Sequence, residues 1–398
     1  MSTCFSNLAA AVGRKMAVSR NEPNVKRAII IPPAIPGSMG DAAMVSATSA
    51  YLKKNGHDHV DLMCGKDWEL DVTPDRRVAA EGFFYSDAPL QRMMLIRGLS
   101  EYSDLYFLGA DVIDGAYNPR SVCARLSMLG EAARLGKKAT LLGSSYNNKP
   151  EATTVSALRD LPQEVTICAR DPISRARLEN TLDRPVRQVA DVAFLLPSRP
   201  ESGESTRAIA WIENRRRAGD QIIGLNANYL HAEKDERVPG GLVKLLTVLM
   251  KSEISVVLVP HDIRSKRPDG KLLADAVAAL PAAYGERFYT LPPISPGTIK
   301  AVMAKVDMLA TGRMHAAILA MSSGTPAFSF AYQEKFEGLY TFLGVQDQGL
   351  LSSPTELAEK PEHVAAALLS RLRDQDQIRA LIHHNLPSVL ELSKENFR

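Results

Sequence analysis

Short apolar runs rich in β-branched residues recur along the chain, each separated from the next by room for a helix. "RAIII" at 27–31, "HVDLM" at 59–63, "DLYFLG" at 104–109, "KATLLG" at 138–143 and "EVTICA" at 164–169 predict five buried strands. Segments of helical period lie between them, 42–54 and 121–135 being the clearest, and Gly56 and Gly136 stand where a left-handed C-terminal cap is needed. Strands and helices in strict alternation predict a parallel sheet. The rhythm breaks in the polar, turn-rich "PSRPESGEST" at 197–206 and restarts with "QIIGLN" at 221–226, "ISVVLV" at 254–259, "VDMLAT" at 306–311 and "PAFSFAY" at 326–332. The pattern predicts two tandem doubly wound, Rossmann-like α/β domains with a cleft between them. Their expected limits are an arm over 1–26, an N-terminal domain over 27–196, a linker over 197–207, a C-terminal domain over 208–350 and helices over 351–398. Open α/β sheets bind ligands beyond the carboxyl ends of their strands, so the cleft is where chemistry is expected.

Composition fits two ordinary domains, with 398 residues of which 45% are hydrophobic and 23% charged. The formal charge of +3 is small, and acids alternate with bases, which argues against a nucleic-acid partner. Cys4, Cys64, Cys123 and Cys168 form no C-x-x-C pair and have no histidine at ligand spacing, so reduced thiols in a cytoplasm are expected rather than disulfides or a metal site. The weakly apolar piece 5–12 is followed, not preceded, by Arg14 and Lys15, the wrong order for a secretory signal. The longest apolar strand-like run, 254–259, is far below the roughly 18 residues that a membrane span requires. These features predict a cytoplasmic protein with no transmembrane segment, and leave peripheral association with a membrane surface open.

The stretch "ATGRMHAAILAMSSGTPAFSFAYQEK" at 310–335 carries the first candidate chemistry. A strand should end at Thr311, Gly312 should turn the chain, and a helix should run to Gly324 and Pro326. Arg313 and His315 then lie at the carboxyl edge of the sheet, beside a helix N-terminus whose free N–H groups and dipole favour an anion. The plain alternative is a surface salt bridge and a core histidine. His261 and Asp262, in "VPHDIR" at 259–264, follow a strand at the same edge. Asp41 is either a helix-terminal acid or a ligand. Asp111 and Asp114 read either as helix caps or as groups that hydrogen-bond a ligand or serve as a general base. His57, His59, His383 and His384 lack metal spacing and read as solvated.

Several of these segments together resemble the polysaccharide pyruvyl transferases, a family carrying an Arg-Leu-His-Ala motif, a Gly-x-Pro and a Tyr-x-x-Lys. Here they read Arg313-Met314-His315-Ala316, Gly324-Thr325-Pro326 and Tyr332-Gln333-Glu334-Lys335. "SMGDAAM" at 38–44 is similar to the family's Asn-x-Gly-Asp turn, "ARDPISRARL" at 169–178 to its Arg-x-x-x-Ser segment, and "VADVAFLLP" at 189–197 to its Asp-x-Ala-Phe stretch. The chain departs at Ser38, where the family commonly has Asn, and at Ala110 and Asp111, where many relatives are glycine-rich.

The resemblance implies a GT-B-like pair of domains, the first on the acceptor side and the second on the phosphoenolpyruvate side. It implies transfer of pyruvate from phosphoenolpyruvate to two sugar hydroxyls of a surface or secreted polysaccharide, forming a cyclic ketal. The donor brings a phosphate and a carboxylate, and its enol carbon must be protonated, so fixed cations and one acid-base group are required. Arg313 and His315 are the expected catalytic residues; Arg170, Ser174, Tyr332, Lys335, His261, Gly40, Asp41 and Asp111 are expected to bind substrate. No cofactor and no metal are expected, and the acceptor would be a lipid- or nucleotide-linked carbohydrate. Two other readings use the same residues. One is a GT-B glycosyltransferase acting on a nucleotide sugar, and the other a non-catalytic module that binds a phosphoglycan.

Overall fold

A computed structural model describes residues 2–17, 25–200, 203–264, 268–331 and 335–398, without the side chains of 2–7 and 335. It contains two six-stranded sheets, parallel throughout. The first is built from β1 (Arg27–Ile31), β2 (His59–Leu62), β3 (Asp104–Ala110), β4 (Lys138–Ser144), β5 (Thr166–Ala169) and β6 (Arg187–Gln188), in the order β2-β1-β3-β4-β5-β6. The second is built from β7 (Gln221–Asn226), β8 (Ile254–Leu258), β9 (Phe288–Thr290), β10 (Met308–Thr311), β11 (Ala327–Phe330) and β12 (Leu351–Ser352), in the order β12-β11-β10-β7-β8-β9. This is a GT-B-like arrangement of two doubly wound units. Central strands such as β8 and β10 are buried along their whole length, which is why they read as nearly continuous apolar runs. The three strands with no sequence signal, β6, β9 and β12, have two or three residues each and lie at sheet edges. That is too short for a period to show.

Strand order reverses between β1 and β3 in the first sheet and between β7 and β10 in the second. Each reversal opens a crevice at the carboxyl edge, and the loops after these four strands face one another across the cleft. The helix Met39–Lys54, after β1, is buried nearly all round because it packs on the helices Pro296–Met303 and Met314–Met321 of the other domain. Gly56 and Gly136 both have positive φ, 89° and 72°, as the cap positions require.

Backbone and side chains fasten the domains together. Met39 N donates to the His261 carbonyl at 2.9 Å and Ile263 N to that of Gly37 at 2.8 Å. The Asp71 carboxylate accepts from Ser295 Oγ at 2.6 Å and from Gly297 N at 2.8 Å, capping a helix of the second domain. The helix Gly203–Arg217 begins inside the segment 197–207. The last helix, Gln375–Lys394, returns the chain to the first domain, where Asn396 accepts from Gly143 N at 2.7 Å and Phe397 stacks on Tyr51 at 4.2 Å. Among the described residues no helix is long and apolar enough to cross a membrane.

Candidate active site

The chain leaves β10 at Thr311, turns at Gly312 and enters the helix Met314–Met321, with Arg313 at the cap position and no side chain closing the helix end. Gly312 is required there, since a Cβ would fall 2.8 Å from the His231 ring. The Thr311 hydroxyl accepts the Arg313 N–H at 3.0 Å. The Arg313 guanidinium donates to both oxygens of Asp269, at 3.1 and 2.7 Å, and lies 5.1 Å over the Tyr229 ring. Asp269 is fully buried and also accepts from Asn226 Nδ2, Tyr229 N and Asp262 N. Arg313 is therefore clamped into the wall of the cleft by an anion of its own domain.

Arg170 follows β5 and reaches across from the other domain. Its Nη1 donates to Asp191 Oδ2 at 2.6 Å and lies 3.4 Å from His315 Nε2, while its Nε donates to Ser145 Oγ at 2.9 Å. His315 Nε2 is in turn 3.4 Å from the same Asp191 oxygen. Burial alone would raise the Asp191 carboxyl, but the His315 and Arg170 charges outweigh it and hold the group well below the usual carboxylate range. Arg170 is buried, and its Nη2 has no acceptor among the described residues. A buried guanidinium nitrogen without a partner is costly, and an anionic ligand would satisfy it.

Facing this trio is the first turn of the helix Met39–Lys54. Ser38 caps it, its hydroxyl accepting the Asp41 N–H at 3.3 Å. Gly40 lies against the His315 ring, and Asp41 lines the cleft. Burial pushes the Asp41 carboxyl up to about 6, against the pull of His315. His261 is 2% exposed, with neither ring nitrogen partnered among the described residues. Burial first, then the charges of Arg313 and His315, push its pKa well below the ordinary histidine value and keep it neutral.

These groups enclose an inner chamber of about 340 Å³ lined by Asp41, Asp111, Arg170, His261, Arg313 and His315, with Tyr85, Tyr229 and Arg264. An outer chamber of about 520 Å³ adjoins it, sharing Asp111, Tyr117 and Leu230. Of the expected residues, six thus meet in the inner chamber, and Gly40 supports His315 from behind. Ser174 lines the outer chamber, where its hydroxyl donates to Asp171 at 2.7 Å, within the helix start, and accepts from Tyr146 N of the loop after β4 at 2.8 Å. Asp114 accepts from Ala116 N and Asn147 Nδ2, which holds a turn. Ala110, just before Asp111, adopts φ +47°, a left-handed conformation that glycine takes without strain. Tyr332 and the Lys335 side chain lie outside the described residues. Sequence reasoning assigned no role to Asp191 and did not single out Asp269, because an isolated aspartate at a loop reads as a cap. Only the presence of Asp191 in the "VADVAFLLP" segment pointed towards it. Among the described residues no group of three or more His, Cys, Asp or Glu is arranged to hold a metal ion.

The family model described as polysaccharide pyruvyl transferase matches residues 39–334, more than half of the chain and a span that contains Asp41, Asp111, Arg170, His261, Arg313 and His315 of the inner chamber. No curated protein matches the chain by sequence. Solved structures similar in fold include a putative UDP-N-acetylglucosamine 2-epimerase from Listeria monocytogenes, with TM-score 0.59, 11% identity, and 94% of this chain and 97% of that one covered. The UDP-GlcNAc 2-epimerase of Neisseria meningitidis has TM-score 0.58, 12% identity, and coverage of 93% and 98%. A sucrose-phosphate synthase from Thermosynechococcus elongatus has TM-score 0.51, 14% identity, and coverage of 92% and 94%. At such identities the likeness is one of fold.

Proposed function

We propose, for a chain that belongs to the polysaccharide pyruvyl transferase family, that it moves the pyruvyl group of phosphoenolpyruvate onto two hydroxyls of a sugar in a polysaccharide or its precursor, forming a ketal. The observation that carries this reading is the buried Nη2 of Arg170, without an acceptor among the described residues, beside His315 at an open helix N-terminus. A small, doubly anionic donor suits such a place: one anionic group would meet Arg170 and the helix amides, and the wall cation Arg313 would add to the field.

His315 would protonate the methylene carbon of the donor, a step for which a histidine held between a carboxylate and a cleft is suited. The first sugar hydroxyl would then add to the central carbon, and its proton would pass to Asp41, across the chamber. Loss of phosphate and attack by the second hydroxyl would close the ketal. The two hydroxyl protons balance the reaction, one replacing the proton that became part of the methyl group and the other leaving with phosphate. All the fixed charge and proton transfer in this scheme come from side chains, without metal or cofactor. The setting we propose is the cytoplasm, in keeping with free thiols at Cys64, Cys123 and Cys168, and the acceptor a precursor of a surface or secreted polysaccharide.

Calorimetric titration tests the donor. Phosphoenolpyruvate should bind the parent protein, and His315→Gln should keep that binding within a few fold while lowering acceptor-dependent phosphate release by about 10² to 10⁴, the range for a lost acid-base group. Binding of UDP-N-acetylglucosamine with no response to phosphoenolpyruvate would replace this reading by a glycosyltransferase.

A further inference from the structure

Two helices of the first domain turn apolar side chains outward. The helix Ser2–Met16 seats a small face, Ala10 and Gly13, on the helix Pro89–Gly98, so closely that a Cβ on Gly13 would fall 3.1 Å from Ile96 Cβ. With that face inward, Leu8, Val12 and Met16 point away at successive helical turns, and are 60%, 36% and 44% exposed. On the second helix Leu90 and Met94, one turn apart, are 72% and 67% exposed. Isolated apolar side chains are ordinary on a protein surface, but five large ones on two adjoining helices are a feature to be explained.

Charge says what covers them. Neither helix contains an aspartate or a glutamate, and Lys15 and Arg97 are exposed on the outward faces. Arg14 is turned the other way, paired with Glu131 at 2.6 Å. An apolar stripe on two helices whose only charged residues are cations matches an anionic bilayer surface, into which the apolar chains dip while lysine and arginine meet phosphates, Asp87 standing just before the second helix. A second copy of the same face would instead set Lys15 and Arg97 against like charges.

We propose that the helix pair Ser2–Met16 and Pro89–Gly98 docks the protein on the surface of an anionic lipid membrane. The site lies near the cleft: Tyr85, five positions before Leu90, lines the inner chamber. If the proposed transfer reaction is right, a lipid-linked acceptor would reach the cleft from the docked side; the docking itself does not depend on that reaction.

Sedimentation with vesicles tests it, using the full chain. The protein should pellet with phosphatidylglycerol vesicles, stay largely in solution with pure phosphatidylcholine, and be released by high salt. Leu8→Glu/Leu90→Glu/Met94→Glu should abolish pelleting, and Lys15→Glu/Arg97→Glu should lower the partition coefficient about tenfold or more. Both variants should melt at the parent temperature, because the altered side chains are exposed. The proposal is overturned if the parent ignores anionic vesicles, or if folded variants pellet as the parent does. It is equally overturned if sedimentation velocity without lipid shows a dimer that the triple substitution dissolves, since the face would then belong to a second copy. Phosphoenolpyruvate titration of the same preparations reads the donor site separately.

Discussion

Gly40 lies flush against the His315 ring, so that a Cβ built on it would fall 2.7 Å from His315 Cγ. The absence of a side chain on a helix of the first domain thus sets the position of a histidine on a helix of the second. Gly40→Ala must push the ring away from Asp191 and Arg170 or part the two helices. Overpacking of this kind costs about 1 to 3 kcal/mol, while a misplaced acid-base group loses about 10² in rate. The variant should therefore fold, melt somewhat lower, and release phosphate far more slowly than the parent. Turnover within a few fold of the parent would remove His315 from the chemistry.

Asp41 makes the stability depend on pH in an unusual direction. In the folded protein its carboxyl keeps the proton up to about 6, whereas in the unfolded chain it loses it near 4. Between those values the folded state binds more protons than the unfolded, so this group's contribution to stability falls as pH rises from about 4 to about 6 and stays low above. A shift of this size corresponds to at most about 3 kcal/mol, and to less here because Asp41 is partly open to the cleft and screened. Asp41→Asn removes the ionisation, so it should be more stable than the parent at pH 8 and nearly equal to it at pH 4. If Asp41 also takes a hydroxyl proton, the acid limb of the parent's kcat/KM profile should lie near 6 and turnover of Asp41→Asn should fall sharply. Denaturant melts at both pH values, with the rate profile, check the two claims separately.

Ala110 is held at φ +47° and is buried, directly before Asp111. A left-handed alanine costs about 1 to 2 kcal/mol, and glycine would relieve this while losing about 0.5 to 1 kcal/mol of unfolded-state entropy. Ala110→Gly should therefore change stability by less than about 1 kcal/mol. Ala110→Val should cost more, since a β-branched residue resists this conformation and overpacking adds about 1 to 3 kcal/mol. Equilibrium unfolding of the two variants measures the difference; similar stabilities would mean that the backbone relaxes out of the left-handed region.

The strands that could be read from the sequence are those buried on both faces, where apolar runs have no other explanation. The helix Met39–Lys54 was legible as a helix, but its burial on all sides was not, because small residues such as Ala42, Ala43 and Ala47 carry no sign of which face meets a neighbour. Arg313 and His315 could be placed because a glycine turn after an apolar strand locates the sheet edge. Their partners could not. Asp269 lies 44 positions from Arg313, and Arg170 lies 145 positions from His315. Nothing local distinguishes a buried carboxylate that anchors an arginine from a solvated one that caps a helix. The consequence is a change in how the two arginines are read: both were expected to meet the ligand, and one of them is already committed to Asp269.

That difference yields an opposed pair of outcomes. Arg170 has a nitrogen with no acceptor among the described residues, so Arg170→Lys, which cannot reproduce a planar fork, should lose one charge-assisted bond to phosphoenolpyruvate. Such bonds are worth about 1.5 to 3 kcal/mol, or roughly a tenfold to hundredfold loss of affinity. Arg313→Lys instead breaks a two-bond clamp on a fully buried carboxylate. Its main effect should be a lowered melting temperature, by an amount reflecting about 1 to 3 kcal/mol for the lost bonding to a buried charge, with a smaller effect on donor affinity. Calorimetric titration with phosphoenolpyruvate and thermal melts on the same preparations separate the two. If Arg170→Lys binds the donor as the parent does, while Arg313→Lys melts normally and no longer binds it, the anion meets Arg313 and the assignment of Arg170 fails.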